Sequence, residues 1–317
     1  MHVNRRRWIL STTSLAAASW LSACANRPAA TNTAALGYQH QTIGQARVTA
    51  VSDGVTRRPL DAGFVKNAPL AEVQAALAAA GLPTTHIDVP YTCFVVELHG
   101  KRYLLDTGFG DNGAPGTGQL HRHLQAAGID PASIDVVVIS HLHGDHINGL
   151  RRKDGSLVYP QATVYVPQPE AAHWLDDARM NATPEAARGG FRAVRRVFDG
   201  YPAAQLKLFA PGSAIAPGLE TVAAFGHSPG HTAIAVQSGG ERFTFIGDVA
   251  HYPALFVKHP DWQVQFDMNP EQARATRHAL LGRLAQEGGW VGGYHFPMPA
   301  LGRLRAAGPG YDWVPRT

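Results

Sequence analysis

The stretch Ser140-His141-Leu142-His143-Gly144-Asp145-His146 constrains this chain more than any other part of it. It directly follows residues 134–139, a continuous apolar run of strand length that suits a strand buried on both faces. His141 and His143 are two apart, so in extended backbone they point the same way. Gly144 lets the chain turn, after which Asp145 and His146 can face a second point a few ångströms away. Neutral imidazole and carboxylate are ligands for zinc and similar divalent ions. Four side chains on one loop cannot complete two metal sites, so further ligands must come from distant parts of the chain. Suitable residues follow other strand-like runs: His227 after 219–225, Asp248 after 242–246, and His295 after 290–294. Strand ends that converge on one rim are where a sheet scaffold presents a site.

The rest of the pattern is that of a layered α/β domain. Strand-like segments at 47–51, 92–98, 102–106, 134–140 and 162–166 precede a second group at 219–225, 232–237, 242–246 and 290–294. Helical patterns cover 69–80, 119–127, 170–179, 184–198 and 270–287, the last with Pro270 at its start and Gly288 beyond its end. Strands in both halves, each half closed by helices, predict two packed sheets with helices outside. The helix-rich segment 151–217 reads as an insertion over one end of the sheets. With 45% hydrophobic and 16% charged residues, the chain has the composition of a folded domain, not of a disordered one.

The first 25 residues read as an address. Arg5-Arg6-Arg7 opens an apolar, small-residue run without Asp or Glu, the plan of a secretory signal peptide. Arg5-Arg6 resembles a twin-arginine signal. Leu21-Ser22-Ala23-Cys24 resembles a bacterial lipobox, in which Cys24 would be lipidated, while Ala23-Cys24-Ala25 also fits A-x-A cleavage. Residues 26–44 look like a tether and 45–317 like the working domain. The expected location is the periplasm or cell envelope, with membrane attachment only through a lipid on Cys24. Without the three signal arginines the net charge of +4 almost vanishes, so nothing favours nucleic-acid binding. Cys93, the other cysteine of the two, lies in an apolar strand-like run and reads as a buried, inert thiol.

The ligand order His141-x-His143-x-Asp145-His146, His227, Asp248, His295 resembles the five-motif pattern of metallo-β-lactamase-fold hydrolases, and Asp106-Thr107-Gly108 resembles that family's strand-end D-T-G. The resemblance spans about residues 45–315. It implies an αββα sandwich with two divalent metal ions, Zn²⁺ first and Mn, Co or Fe as alternatives, at one edge of the sheets. His141, His143 and His227 would hold one ion, and Asp145, His146 and His295 the other, with Asp248 bridging. Asp106 and His231 would orient ligand imidazoles. His295-Phe296-Pro297, residues 302–305 and 310–315, and Ala172-His173-Trp174-Leu175 look most like the methyl parathion hydrolase and lactonase group.

The implied chemistry is attack of a metal-bridging hydroxide on neutral esters, lactones or phosphotriesters, with Asp145 also moving a proton. Trp174 and Phe191 are the candidates for an apolar substrate wall, with ordinary helix-core packing as the equal alternative. The partner is a small neutral organic molecule, and a homodimer is compatible with the sequence. Two other readings stand beside this one: an iron-dependent oxidoreductase like the persulfide dioxygenases of this fold, and a non-catalytic ligand-binding protein. His121, His123 and the run Arg192, Arg195, Arg196 read as solvated helix faces, and His251 as an ordinary polar loop residue, its place three residues after Asp248 leaving an approach to the site as the alternative.

Overall fold

In the computed structural model of the chain, residues 1–2 and 37–316 are described. The signal-like segment, with Cys24, and most of the tether lie outside the described residues. Two seven-stranded sheets carry the architecture, and each runs across its sheet in chain order. The first sheet comprises β1 (Tyr38–Ile43), β2 (Ala46–Pro59), β3 (His86–Leu98), β4 (Lys101–Leu105), β5 (Val136–Val138), β6 (Thr163–Pro167) and β7 (Leu206–Phe209). The second comprises β8 (Ala214–Ala216), β9 (Leu219–Ala223), β10 (Thr232–Ser238), β11 (Glu241–Phe245), β12 (Trp290–Gly292), β13 (Leu301–Ala307) and β14 (Gly310–Pro315).

Strands β1 to β4 pair antiparallel, with short turns joining β1 to β2 and β3 to β4, whereas β4 to β7 pair parallel. Parallel neighbours need a crossover, and helices supply it. Helix α1 (Leu70–Ala79) instead connects antiparallel β2 and β3; the crossovers hold α2 (Leu120–Ala126), α3 (Gly144–Ile147), α4 (Gln168–Trp174), α5 (Asp177–Ala182), α6 (Gly189–Phe198) and α7 (Pro270–Glu287). Helix α7 joins the parallel pair β11 and β12. It begins with Asn269 accepting from the Gln272 N–H and ends at left-handed Gly288, as Pro270 and Gly288 predict.

The core lies between the sheets, where Phe94 of β3 packs at 5.4 and 5.2 Å from the rings of Phe243 and Phe245 on β11. Gly292 permits this approach, because a Cβ there would lie 2.6 Å from Phe94 Cζ. Cys93 is fully buried, and burial pushes its thiol well above the ordinary range, as expected of an inert residue.

The αββα architecture is thus the expected one, with four differences. Residues 38–43, assigned to the tether, form β1 and pair along β2, so the domain begins earlier than residue 45. Residues 290–294 do not form the last strand, since the β13–β14 hairpin completes the second sheet. Segment 151–217 is not simply an insertion: it supplies β6, β7 and β8 to the sheets and α4 to α6 above them. The buried run 134–140 contributes only three paired residues, and its end opens into the loop that carries the histidines.

Candidate active site and metal centre

Each candidate ligand sits just beyond a strand or on the turn that follows it. The chain leaves β5 and passes through Ser140–His143 into the single turn of α3, which holds Asp145 and His146. His227 lies after β9, Asp248 three residues after β11, and His295 three residues after β12. All seven residues come together at one edge of the sandwich. His141, His143 and His227 form one close donor group; Asp145, His146 and His295 form a second; Asp248 joins His141 and His146 in a third.

The donor atoms lie as close together as ligands of a common cation, or slightly closer. His143 Nδ1 lies 2.9 Å from His141 Nε2 and 3.0 Å from His227 Nε2. Asp248 Oδ2 is 3.2 Å from both His227 Nε2 and His295 Nε2, and Asp248 Oδ1 is 3.4 Å from His146 Nε2. Asp145 Oδ2 is 3.4 Å from His146 Nε2 and 3.6 Å from His295 Nε2. Two ligands bonded at ~2.0–2.2 Å to one tetrahedral ion stand about 3.3–3.6 Å apart. His146 Nε2 and Asp248 Oδ1 are buried and without a hydrogen-bond partner among the described residues, which leaves both free to face a cation. The donor set therefore fits divalent metal.

Protonation agrees with that role. Burial, reinforced by neighbouring imidazoles, holds His141 well below its ordinary range and pushes His143 down to about 3, so both rings are neutral donors. Burial alone would raise Asp145 and Asp248, yet the surrounding histidines hold both carboxylates below the usual range. Burial likewise opposes a charge on His146, but Asp145, Asp248 and Asp106 raise it.

The outer groups fix which ring nitrogen faces inward. Asp106 sits at a φ of 58°, which aims its carboxylate at the loop: it accepts from the Ser140 N–H and Oγ, each at 2.7 Å, and from His146 Nδ1 at 2.7 Å. His295 Nδ1 donates to the Pro90 carbonyl at 2.9 Å. His231 departs from expectation. Its Nδ1 donates to the Ala224 carbonyl, and its Nε2 accepts the Asp248 N–H at 2.9 Å, so it positions the Asp248 backbone and not an imidazole. A Cβ on Gly247 would lie 2.6 Å from that Nε2, so only glycine fits there.

Several residues of the site carry no signal in the sequence. Asp267 accepts from His227 Nδ1 at 3.0 Å and pairs with fully buried Arg277 at 3.1 Å. Arg277 also donates to the carbonyl of Val249, beside Asp248. Buried Glu170 accepts from the Leu142 N–H, Trp174 Nε1, Ser228 Oγ and the Gly230 N–H, tying the two histidine loops to α4. His251 is no ordinary loop residue: it is 5% exposed, stacks at 7° on His295, and its Nε2 lies 3.3 Å from Asp248 Oδ2. Arg196 is partly buried and donates to Asn148 Oδ1 at 2.7 Å, while His121 and His123 hydrogen-bond Tyr159 and the Ser52 carbonyl, so none of the three is simply solvated.

A cavity of about 480 Å³ opens over the donors, and His143, Asp145, His227, Asp248, His251 and His295 form its floor. Phe64, Ile87, Val89, Phe109, Tyr252 and Phe266 make its walls mainly apolar. Trp174 and Phe191 are 7% and 4% exposed and pack against each other, with Trp174 edge-on to His143 at 6.0 Å; neither is on that wall. Their place is beneath the histidine loop. Trp174→Phe, which keeps the ring and removes the bond to Glu170, is expected to destabilise the protein by ~1–3 kcal/mol in denaturant unfolding, leaving the carboxylate short of a buried donor.

A model of the metallo-beta-lactamase superfamily matches residues 86–291. The chain belongs to that superfamily. A probable metallo-hydrolase of Mycobacterium bovis is 26% identical over 179 residues, 50% of this chain and 56% of the relative. The chain thus spans about half the length of the curated relatives it matches. Among solved structures, AidC, a dizinc quorum-quenching lactonase in complex with a product, superposes with a TM-score of 0.79 at 26% identity, covering 89% of this chain and 98% of that one. The hydrolase AbOPH gives 0.82 at 27% identity with the same coverage. The chain's His/Asp cluster fits a divalent-metal site, in keeping with the metal dependence of that superfamily.

Proposed function

We propose that the chain is a dinuclear hydrolase of carboxylic esters and lactones that also accepts aryl phosphotriesters, and that it works in the cell envelope. The observation that carries this reading is the single carboxylate of Asp248, within 3.4 Å of donors from both histidine groups at the floor of an apolar-walled cavity. His141, His143 and His227 would hold one divalent cation, Asp145, His146 and His295 the other, and Asp248 both. Bound there, the pair would supply Lewis-acid polarisation of a carbonyl or phosphoryl oxygen and a hydroxide nucleophile near neutral pH.

The chain's own residues do the rest. Asp145 presents a side chain 21% exposed to the cavity, against 3% for Asp248, so it is the carboxylate that can take a proton and return it to a leaving oxygen. Tyr294 holds it by donating its hydroxyl to the Asp145 carbonyl at 2.5 Å while lying 3.9 Å, ring to ring, from His146. The apolar walls bury an acyl or aryl body, worth ~25 cal/mol per Å² removed from water. The likeness to lactonase structures supports lactones, and the resemblance to methyl parathion hydrolases supports esters with good leaving groups. The test is a metal-replete panel of a lactone, an aryl ester, a phosphotriester, a glutathione thioester and a β-lactam. The first three are expected to lead the last two by at least roughly tenfold in kcat/KM, about 1.4 kcal/mol. A protein holding one tightly bound iron and hydrolysing none of them would overturn the reading.

A further inference from the structure

Arg58 stands in the cavity wall with no anion to meet it. Along β2, side chains alternate faces, so Thr56 and Arg58 share one side while Arg57 points to the other. Arg57 is paired outward with Asp88 through two bonds of 2.7 and 2.8 Å. Thr56 and Arg58 face the cavity, and their β3 partners Val89 and Ile87 line it beside them. The Arg58 guanidinium lies 5.5 Å from the Phe64 ring centre and 5.2 Å from that of Phe266, so two aromatic faces hold it in place. Its Nε is buried without a partner, and among the described residues no carboxylate pairs with the group.

A fixed, partly desolvated guanidinium with unused donors is matched by a planar anion that accepts through two oxygens. The two carboxylates in the cavity, Asp145 and Asp248, are both committed to the histidine cluster at the floor. We infer that Arg58 forms an anion subsite at the wall, and that the favoured substrates are esters or lactones carrying a second, remote carboxylate. This refines the expectation of wholly neutral substrates, and it rests on the hydrolase reading only for the word substrate. The reacting carbonyl would lie over the Asp248 floor while the distant carboxylate meets Arg58. Thr56 and Tyr91, bonded to each other at 2.9 Å, are the neutral polar pair on the same wall.

Binding and turnover test this separately. Calorimetry on the metal-replete protein would compare succinate, glutarate and adipate with monocarboxylates of equal length. At least one diacid is expected to bind about tenfold or more tightly than its monoacid. Arg58→Met should erase that difference with monoacid affinity intact, and Arg58→Lys should retain only part of it. In parallel, the mono(para-nitrophenyl) ester of the best diacid should exceed its neutral methyl ester in kcat/KM, and Arg58→Met should reverse the order. Equal binding of diacids and monoacids by the wild-type protein, or equal losses for both esters in Arg58→Met, would overturn the subsite. Diacid preference in binding without hydrolysis of either ester would uphold the subsite and overturn the hydrolase reading. If Arg58→Met does not fold, the wild-type ratios and Arg58→Lys decide.

Discussion

Asp248→Ala is expected to remove at least one metal ion per chain and to lower kcat/KM by roughly 10³-fold or more, about 4 kcal/mol of transition-state stabilisation. Among the described residues no other carboxylate lies so close to as many imidazoles: its oxygens are 3.2 Å from His227 and His295, 3.3 Å from His251 and 3.4 Å from His146. Alanine would leave those imidazoles without their shared negative charge. Asp248→Asn keeps the shape and removes the charge, so it separates the electrostatic part from packing. Elemental analysis beside steady-state kinetics reads both effects. Full metal content with near-normal turnover in Asp248→Ala would show that the two donor groups do not depend on a common carboxylate.

The second large effect is expected one layer out. Asp267 holds His227 Nδ1 with one oxygen and Arg277 with the other, and Arg277 is fully buried. Asp267→Asn keeps the size but weakens the grip on the imidazole, and metal affinity should fall about 10–100-fold. Asp267→Ala should in addition cost about 3–5 kcal/mol of stability, because it strands a buried guanidinium. Adding Arg277→Met to Asp267→Ala is expected to recover part of that stability, measured by denaturant unfolding, but none of the metal affinity. A stability loss without any change in metal affinity would make Asp267 a packing residue with no hold on the centre.

The contrast between Asp248 and Asp267 shows what the sequence could reveal. Asp248 ends an apolar strand-like run, as do the histidine motif, His227 and His295, so periodicity alone placed the ligands at strand ends. The order of those ligands then implied the two-sheet sandwich. Asp267 lies in an irregular stretch with no period and no neighbour of its own chemistry, and its meaning comes entirely from a partner 40 residues away. Glu170 looked like one acid at the start of a helix, yet it accepts bonds from residues 28, 58 and 60 positions distant. Trp174 and Phe191 were readable as aromatic and near a cleft, but an aromatic side chain in a helix carries no label saying whether it faces a ligand or a loop. Arg58 was invisible for the opposite reason: one of two adjacent arginines, it is set apart from Arg57 only by which side of β2 it takes.

The division of donors between the sheets has a consequence for assembly. His141, His143, Asp145 and His146 leave the first sheet, while His227, Asp248 and His295 leave the second. A chain cut between β7 and β8 would yield two pieces, one with four donors and one with three, and neither could build either ion's set alone. A cation held at this edge would act as a clasp across the sandwich, so the free energy of loading would be shared with the docking of its halves. Chelation would then be felt far from the cavity, as a loosening of one half from the other.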